Sequence, residues 1–322
     1  MRSADITVST AGPFYKYGVK VIKAAIAAGT NFVDIMDDYN STAEALSLSS
    51  EAERAAVISA VASPELTNIF AMHGVNKLEE VDEIHTFWCE SAVDPTGPAA
   101  VFHWLNAIHG NIPTYRGGKW VDVPAMSEPE TVSFPLPING IELYHVGHPE
   151  PLTLPRYVKG VQVVTNKGAI YPLGMSELYK ALSMAGFGSD REFIVRKDVS
   201  MPLRELSTRL VRAMPHFAPD MFKKLAAEAN ERYGDIGSVF KAVVKGKARG
   251  EVREYSYETV STTTPLVTAV PAAIATLMVL RGDVTVKGVH APEGALDPAV
   301  FLNDFKGNNL TVIETEKVIR EI

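Results

Sequence analysis

The sequence predicts an α/β protein in which a parallel sheet is interrupted by a larger α+β region. A strand–helix–strand pattern opens the chain, hairpin signals fill its middle, and a long apolar helix restores an α/β pattern towards its end. These changes divide the 322 residues into predicted regions 1–62, 63–262 and 263–322.

The first region contains the pattern of a parallel βαβ unit. Ile6–Ser9 is a β-rich run, and the apolar residues after it have helical spacing up to Gly29, a favourable C-cap. Asn31–Ile35 is the second predicted strand, so the two strands should lie parallel with the helix as their crossover. We predict a further helix over residues 49–56 and a buried third strand over residues 56–61.

The middle region mixes hairpins with helices, which is typical of an antiparallel or mixed sheet. Gly117–Gly118 and Asn139–Gly140 each separate two β-rich runs, as hairpin turns do. The other predicted elements are a strand at Glu83–Ser91, a helix beginning at Pro98, a strand within 159–168, helices at 176–186 and within 201–233, and a long hairpin turning at Lys247–Gly250.

The last region opens with the most apolar run of the chain. The stretch PLVTAVPAAIATLMVL is shorter than the ~20 residues that a membrane span needs, and it carries Thr and Pro. We therefore predict a buried helix over Thr264–Leu280 and no membrane partner. A short helix and a closing strand follow in the remaining residues.

Composition excludes some classes of function. The net charge is -7, and no block of Lys and Arg with interleaved aromatic residues is present, which argues against nucleic acid as a partner. Cys89 is the single cysteine, so a disulfide within the chain is impossible and a reducing, cytoplasmic location is expected. Its place in the middle of a predicted strand indicates a buried, unreactive thiol.

The first candidate site is the turn AGPF, Ala11–Phe14, between the first strand and its helix. Ligands of α/β sheets bind at the carboxyl ends of parallel strands, and helix N-termini favour anions. Gly12 would let a ring or a phosphate approach the backbone, Pro13 would stiffen the turn, and Phe14 would offer a flat surface. The alternative is an ordinary βα turn whose Phe belongs to the core.

Carboxylates cluster after the second strand, at Asp34, Asp37 and Asp38. They could contact a polar ligand or hold Mg²⁺ or Ca²⁺, but their spacing is not that of a regular ligand set, and a solvated strand end is favoured. The histidines in this half of the chain are also scattered, without the spacing of metal ligands. We therefore predict no metal site.

The densest polar stretch of the sequence, LYHVGHPEPLTLPRYVKG, is the second candidate site. We interpret it as a loop held rigid by its prolines, as a substrate site requires. Arg156 could clamp a carboxylate, Glu150 could neutralise an ammonium, and Thr153 adds a hydroxyl. His145 or His148 could move a proton near neutral pH. The alternative is a Pro-rich connection with surface ion pairs.

The dinucleotide fingerprint G-x-G-x-x-G is absent from the sequence. The nearest match, GFGSDR at Gly186–Arg191, has only the first two glycines and follows a predicted helix instead of a strand. The sequence also contains no Walker loop and no G-x-S-x-G motif.

Several stretches nevertheless resemble the saccharopine dehydrogenase family, which includes saccharopine reductases and lysine 6-dehydrogenases. The opening ADITVSTAGPFYKYGVKVIKAAIAAGTNFVDI resembles the second half of that family's nucleotide-binding domain, and the resemblance extends over nearly the whole chain. The matching positions are Ala11–Phe14, Ala28–Asp34, Pro64, Leu66, Asn68, Gly288, Val289, Pro292 and Glu293. Glu65 departs from the pattern, since the family usually has Gly there.

The resemblance implies a partial Rossmann domain, interrupted by an α+β domain for substrate binding and dimerisation. It implies an NAD- or NADP-dependent oxidoreductase that transfers a hydride at a C–N bond of an amino acid, and a homodimer. In that scheme Ala11–Phe14 and Asp34 contact the cofactor. Glu150, Thr153 and Arg156 bind the substrate, and His145 or His148 is the acid–base residue.

Members of the family normally carry a further β-α-β-α segment before the AGPF turn, and this segment holds the glycine fingerprint. The present sequence begins at Met1 without it, so we expect weak binding of NAD(P)H. Two alternatives are a cofactor-free remnant that acts as an interaction or regulatory subunit, and a related reductase of C=C or imine substrates.

Overall fold

The computed structural model describes residues 1, 3–53, 55–58, 63–94, 97–308 and 310–320. The helices are α1 (Phe14–Ala28), α2 (Tyr39–Ser47), α3 (Ser63–Val75), α4 (Pro98–Ala107), α5 (Glu150–Tyr157), α6 (Leu173–Met184), α7 (Leu203–Phe217), α8 (Pro219–Tyr233), α9 (Thr264–Arg281) and α10 (Pro298–Phe305). The strands are β1 (Ile6–Ser9), β2 (Asn31–Asp34), β3 (Ala56–Ile58), β4 (Glu80–Ser91), β5 (Asn111–Arg116), β6 (Lys119–Pro124), β7 (Glu130–Ser133), β8 (Gly140–His145), β9 (Val163–Tyr171), β10 (Glu192–Arg196), β11 (Val199–Pro202), β12 (Ser238–Ala248), β13 (Glu251–Ser261), β14 (Gly288–His290) and β15 (Val312–Ile319).

The smaller sheet is parallel and has the strand order β1-β2-β3-β14. Its opening βαβ unit is the predicted one. α1 buries Ile22 and ends at Gly29, whose positive φ of 66° and backbone N–H close the helix on the carbonyls of its last turn. The predicted α/β class with a parallel sheet is thus confirmed.

The larger sheet is mixed and follows the order β15-β13-β12-β4-β9-β5-β6, with β8 also paired to β9 and β7 to β8. β4 and β9 run parallel at its centre, and the hairpins lie on either side of them. The predicted turns at Gly117–Gly118 and near Lys247–Gly250 are confirmed by the β5–β6 and β12–β13 pairings. Cys89 on β4 is buried, as predicted, and burial raises the pKa of its thiol.

The carboxyl-terminal residues contribute to both sheets. α9 packs between them, and β14 joins the smaller sheet beside β3. β15 instead pairs with β13 at the edge of the larger sheet, which differs from the expected return of the whole segment 263–322 to the smaller one. Among the described helices, α9 alone is long and apolar enough to cross a membrane by length and composition, although part of its surface is buried within the protein.

Two local predictions are wrong. The chain forms α2 before Ser49, where the sequence predicts no helix. Among the described residues of the predicted helix 49–56 there is only a short 3-10 turn at Ser49–Glu51. Ser, Thr and Asn make the sequence of α2 locally unfavourable for a helix, so burial of Ala45 and Leu46 decides its conformation. β3 is described over Ala56–Ile58; the rest of the predicted third strand and the boundary at residue 62 lie outside the described residues.

The second candidate site is not a loop but the helix α5. Pro149 and Pro151 lie at its beginning, where a helix makes no use of their missing N–H groups. Pro155 lies inside the helix, which ends soon afterwards at Tyr157. The prolines therefore begin and shorten a helix, whereas the sequence interpretation had assigned them to an irregular connection.

Candidate functional site

A cavity of about 810 Å³ lies between the two sheets. Phe14 after β1 and Asp37 after β2 reach it from the parallel sheet, and Trp88 and Glu90 reach it from β4. Helices α4 and α9 complete the wall. The cavity is thus at the carboxyl ends of the parallel strands, where α/β proteins bind ligands, and at a domain boundary, where pockets are common.

The AGPF turn contributes one side chain to this cavity, that of Phe14. Ala11 is exposed, and Gly12 and Pro13 are half-buried. A Cβ atom added at Gly12 would lie 2.7 Å from Cβ of Ala99 on α4. The close approach predicted for a ligand at Gly12 is therefore made by α4, and the glycine allows the helix to pack on the turn.

Asp34 and Asp37 have different environments. Asp34 is buried at the end of β2, where its carboxylate accepts a hydrogen bond from the backbone N–H of Met36 (3.1 Å). Asp37 lines the cavity, and Asp38 is buried beside it. The expectation of a solvated strand end is thus wrong, because α4 covers this end of β2 and brings His103 onto both carboxylates.

His103 and His148 form the centre of a buried polar chain. Their Nε2 atoms lie 3.3 Å apart. Nδ1 of His103 hydrogen-bonds Oδ1 of Asp38 (3.1 Å), while Nδ1 of His148 lies 3.6 Å from Oε2 of Glu150. The chain Asp38–His103–His148–Glu150 therefore connects the end of β2, α4 and the beginning of α5 along the cavity wall.

Glu150 is fully buried and is fixed by two donors. Thr67 Oγ1 and Asn166 Nδ2 both donate to its Oε1, at 3.1 and 2.8 Å. The ring of Trp88 lies 4.9 Å from that of His148, and Trp88 Nε1 donates to Asn166 Oδ1 (3.2 Å). This support from α3, β4 and β9 holds Glu150 and His148 in place.

Thr153, the other buried polar residue of α5, points to a second network. Asn68 Nδ2 contacts Thr153 Oγ1 at 3.3 Å and donates to Glu293 Oε2 at 2.7 Å. Burial raises the pKa of Glu293. Asn68 and Glu293 come from two separate sequence motifs. Their hydrogen bond, together with the contact to Thr153, joins α3 and α5 to the segment after β14.

Burial and neighbouring charges shift the pKa values along the cavity. Burial acts to lower the pKa of His103, but Asp37 and Asp38 outweigh it and raise the pKa to about 9. Burial also acts to raise the pKa of Asp38, but the hydrogen bond from His103 dominates and the pKa is lowered. For Glu90 burial prevails, and its pKa rises to about 7.

The structure separates the remaining predicted site residues from the cavity. His145 is buried at the end of β8, where its Nε2 lies 2.9 Å from Nη2 of Arg116 and 3.2 Å from Oε2 of Glu128. Burial lowers the pKa of His145. Arg156 is exposed, and its Nε donates to the carbonyl of Leu152 (3.1 Å).

The structure therefore does not bring Arg156 to the cavity beside which Glu150 lies. In a helix, residues six positions apart are rotated by about 240° around the axis, so α5 cannot direct Glu150 and Arg156 to the same side. In an extended loop both could have faced one ligand.

Sequence reasoning also missed three residues that line the cavity. Glu90 and Trp88 belong to no recognisable sequence motif. His103 is not a candidate by sequence, because the histidines around it lack the spacing of metal ligands. The one available signal is the polar His103 within the mostly apolar helix PAAVFHWLNA. A buried polar residue on such a helix requires a partner, and here the partners are Asp38 and His148.

Comparison with known proteins identifies a family to which the chain is similar. The model of the family described as "Saccharopine dehydrogenase C-terminal domain" matches residues 61–310. A dehydrogenase (MviM) from Clostridium difficile is similar in structure with 6% identity and a TM-score of 0.28, over 81% of this chain and 60% of its own. An amine dehydrogenase from Mycobacterium smegmatis is similar with 9% identity and a TM-score of 0.36, over 92% of this chain and 77% of its own.

The chain therefore spans less than two thirds of the length of the first of these structures. The family match, by contrast, includes α3, the whole larger sheet except its last strand, and the helices around the cavity. It confirms the resemblance seen in the sequence motifs. The chain belongs to the saccharopine dehydrogenase C-terminal domain family.

Proposed function

We propose that the protein is an NAD(P)-dependent oxidoreductase that transfers a hydride at a C–N bond of an amino-acid-like substrate bound in the cavity. The observation that carries the proposal is the row of acidic and imidazole side chains on the cavity wall at the carboxyl ends of the parallel strands. Family membership supports the reaction class.

The residues at the end of β1 fit the nicotinamide end of such a cofactor. Val8, Thr10 and Phe14 line this side of the cavity and offer an apolar surface with one hydroxyl. A bound nicotinamide would supply the hydride acceptor. Gly12 packs against Ala99 of α4, and Asp34 is buried at the end of β2, so neither is among the residues that line the cavity.

The charged groups of the cavity fit an amine. Asp37, Glu90, His103 and His148 line it, and among the described lining residues there is no Lys or Arg. Glu90 can therefore hold a substrate ammonium. Thr264 lines the opposite side at the beginning of α9.

Glu90 is the proton acceptor of this proposal. An ammonium must lose a proton before its carbon can give up a hydride, and an acid–base group works best when its pKa is near the working pH. Glu90 lines the cavity, and burial raises the pKa of its carboxyl group to about 7. His145, the other predicted acid–base residue, is paired with Arg116 and Glu128 away from the cavity and has no part in this proposal.

The test is the reduction of NAD⁺ or NADP⁺, followed by absorbance, with a panel of amines and amino acids. Glu90→Gln should lower kcat at least about 100-fold, which corresponds to roughly 2.7 kcal/mol of transition-state stabilisation. Glu83→Gln is the matched control on the same strand, since Glu83 pairs with Lys245 away from the cavity, and it should retain activity. Full activity of Glu90→Gln would refute the assignment.

The competing function is that of a cofactor-free interaction or regulatory subunit. NADH fluorescence titration separates the two. Weak but saturable binding in the cavity supports the oxidoreductase. A folded protein that shows no saturation with either cofactor, and no turnover with any substrate of the panel, including imines and activated C=C compounds, supports the subunit.

A further inference from the structure

The two imidazoles on the cavity wall face each other through their Nε2 atoms. Nδ1 of His103 faces Asp38 and Nδ1 of His148 faces Glu150, so each ring places its N–H on the side of a carboxylate. The two Nε2 atoms point at each other across 3.3 Å. Such a contact is held either by a proton that one ring donates to the other or by a metal ion that both rings bind.

The separation of the two nitrogens fits a metal ion. Two imidazole ligands at about 2.0–2.1 Å from a tetrahedral ion have nitrogens about 3.3–3.4 Å apart. The observed separation is 3.3 Å. It exceeds the distance of about 2.9–3.0 Å that is most common for hydrogen bonds from N–H groups.

Asp37 provides a third ligand. One potential ligand atom from each of Asp37, His103 and His148 lies within 4.8 Å of the other two. Oδ1 of Asp37 is 3.1 Å from Nδ1 of His103, yet it has no hydrogen-bond partner among the described residues, because that N–H is directed at Asp38. A buried carboxylate oxygen without a hydrogen bond is costly, and a bound metal ion would offset that cost.

Each of the two histidines has a carboxylate next to its Nδ1 atom, as histidine ligands in metal sites commonly do. Histidine ligands usually direct their second nitrogen at a carboxylate, which orients the ring and increases its basicity. Asp38 does this for His103. Nδ1 of His148 and Oε2 of Glu150 are both buried without a hydrogen-bond partner among the described residues, 3.6 Å apart, so a small movement of His148 onto an ion would pair them.

We propose that His103, His148 and Asp37 bind one divalent transition-metal ion, with zinc as the expected ion, at the wall of the cavity. Two imidazole nitrogens and one carboxylate favour Zn²⁺ and its neighbours in the first transition series over Mg²⁺ and Ca²⁺, which prefer oxygen ligands. All three side chains line the cavity, so the remaining coordination positions face the space proposed for the substrate. The proposal goes beyond the oxidoreductase activity and does not depend on it.

The experiment measures metal binding by the whole chain without cofactor or substrate. Zn²⁺ is titrated calorimetrically into chelator-treated protein, and bound metal is counted by mass spectrometry after gel filtration. We expect one equivalent bound with a Kd in the micromolar range or below. His103→Gln and His148→Gln should weaken binding at least about 100-fold, and Asp37→Asn at least about 10-fold.

His85→Gln is the control, because His85 is a partly buried histidine paired with Thr165 and Glu83, outside the cavity lining. It should bind zinc as the wild type does. Circular dichroism establishes that each variant is folded. If a histidine variant does not fold, Co²⁺ absorption of the wild type and of Asp37→Asn decides: a tetrahedral spectrum that Asp37→Asn weakens supports the site.

Three results would overturn the proposal. They are less than a tenth of an equivalent of zinc on the wild type, unchanged binding in both cavity histidine variants, and loss of binding in His85→Gln. The first result would leave a shared proton as the cation between the two rings. Because no turnover is measured, failure of the metal site and failure of the oxidoreductase proposal remain separate findings.

Discussion

Replacement of Gly168 by alanine should displace Trp88, which packs against His148 of the candidate site. Gly168 lies on β9 directly opposite Trp88 of β4. A Cβ atom at this position would lie 2.7 Å from Cδ2 of Trp88, and closer still to two other atoms of the indole. Its backbone conformation is ordinary for a strand, so the requirement for glycine comes from the tryptophan and not from φ.

The expected cost follows from what Trp88 must give up. Overpacking a well-filled core by a methyl group costs about 1–3 kcal/mol. If the indole shifts to make room, it also loses the hydrogen bond from Nε1 to Asn166, a further ~1 kcal/mol. We therefore expect Gly168→Ala to lower the free energy of unfolding by about 2–4 kcal/mol. The displaced indole would also press on the ring of His148, which lies 4.9 Å away.

Urea unfolding of Gly168→Ala and of Gly174→Ala measures this effect. Gly174 lies in the first turn of α6, and a Cβ added there meets nothing within 4 Å. Its replacement should be neutral or stabilise by up to about 1 kcal/mol. The reasoning is refuted if Gly168→Ala remains within about 0.5 kcal/mol of the wild type, since Trp88 would then have no fixed position against β9.

Three further predictions concern stability and assembly. Arg204→Ala should lower the free energy of unfolding, measured in urea, by about 2–3 kcal/mol, because the buried guanidinium of Arg204 pairs with Asp190. Arg209→Ala on the same helix removes an exposed ion pair and should lower it by about 0.5 kcal/mol or less. A hydrogen bond from Arg116 lowers the pKa of Glu128 from 4.5 to about 2, so its contribution to stability is complete above about pH 4.5 and is lost as the pH falls towards 2. Glu128 is 48% exposed, so the wild type should lose at most ~1 kcal/mol more than Glu128→Gln over that interval, and equal losses would contradict the pairing. Light scattering should give twice the chain mass of 35.0 kDa for a homodimer, and a value near 35.0 kDa would exclude it.

Much of the fold could be predicted because its signals are local. A strand of alternating residues, a helix that ends at Gly29, and a hairpin that turns at glycine each carry their evidence within about ten residues. Where tertiary burial decided the structure, prediction failed. α2 has the composition of a turn and forms because Ala45 and Leu46 are covered.

The candidate site could be predicted only in part, because its members meet through tertiary structure alone. His148 and Glu150 were found since they share a short polar stretch, but Asp37 and His103 come from other elements. The same stretch misled the interpretation of Arg156, because three prolines suggested a loop where the chain forms α5. Because the chain forms a helix where a loop was expected, Arg156, a predicted substrate ligand, is exposed to solvent.

The path of the chain between the sheets limits how the cavity can open. The backbone passes from one sheet to the other three times: from β3 to β4, from β13 to β14, and from β14 to β15. Any hinge opening of the cavity must therefore bend the chain at all three of these connections. Where such an opening is slower than the chemical step, the exchange of reactants sets the rate of turnover.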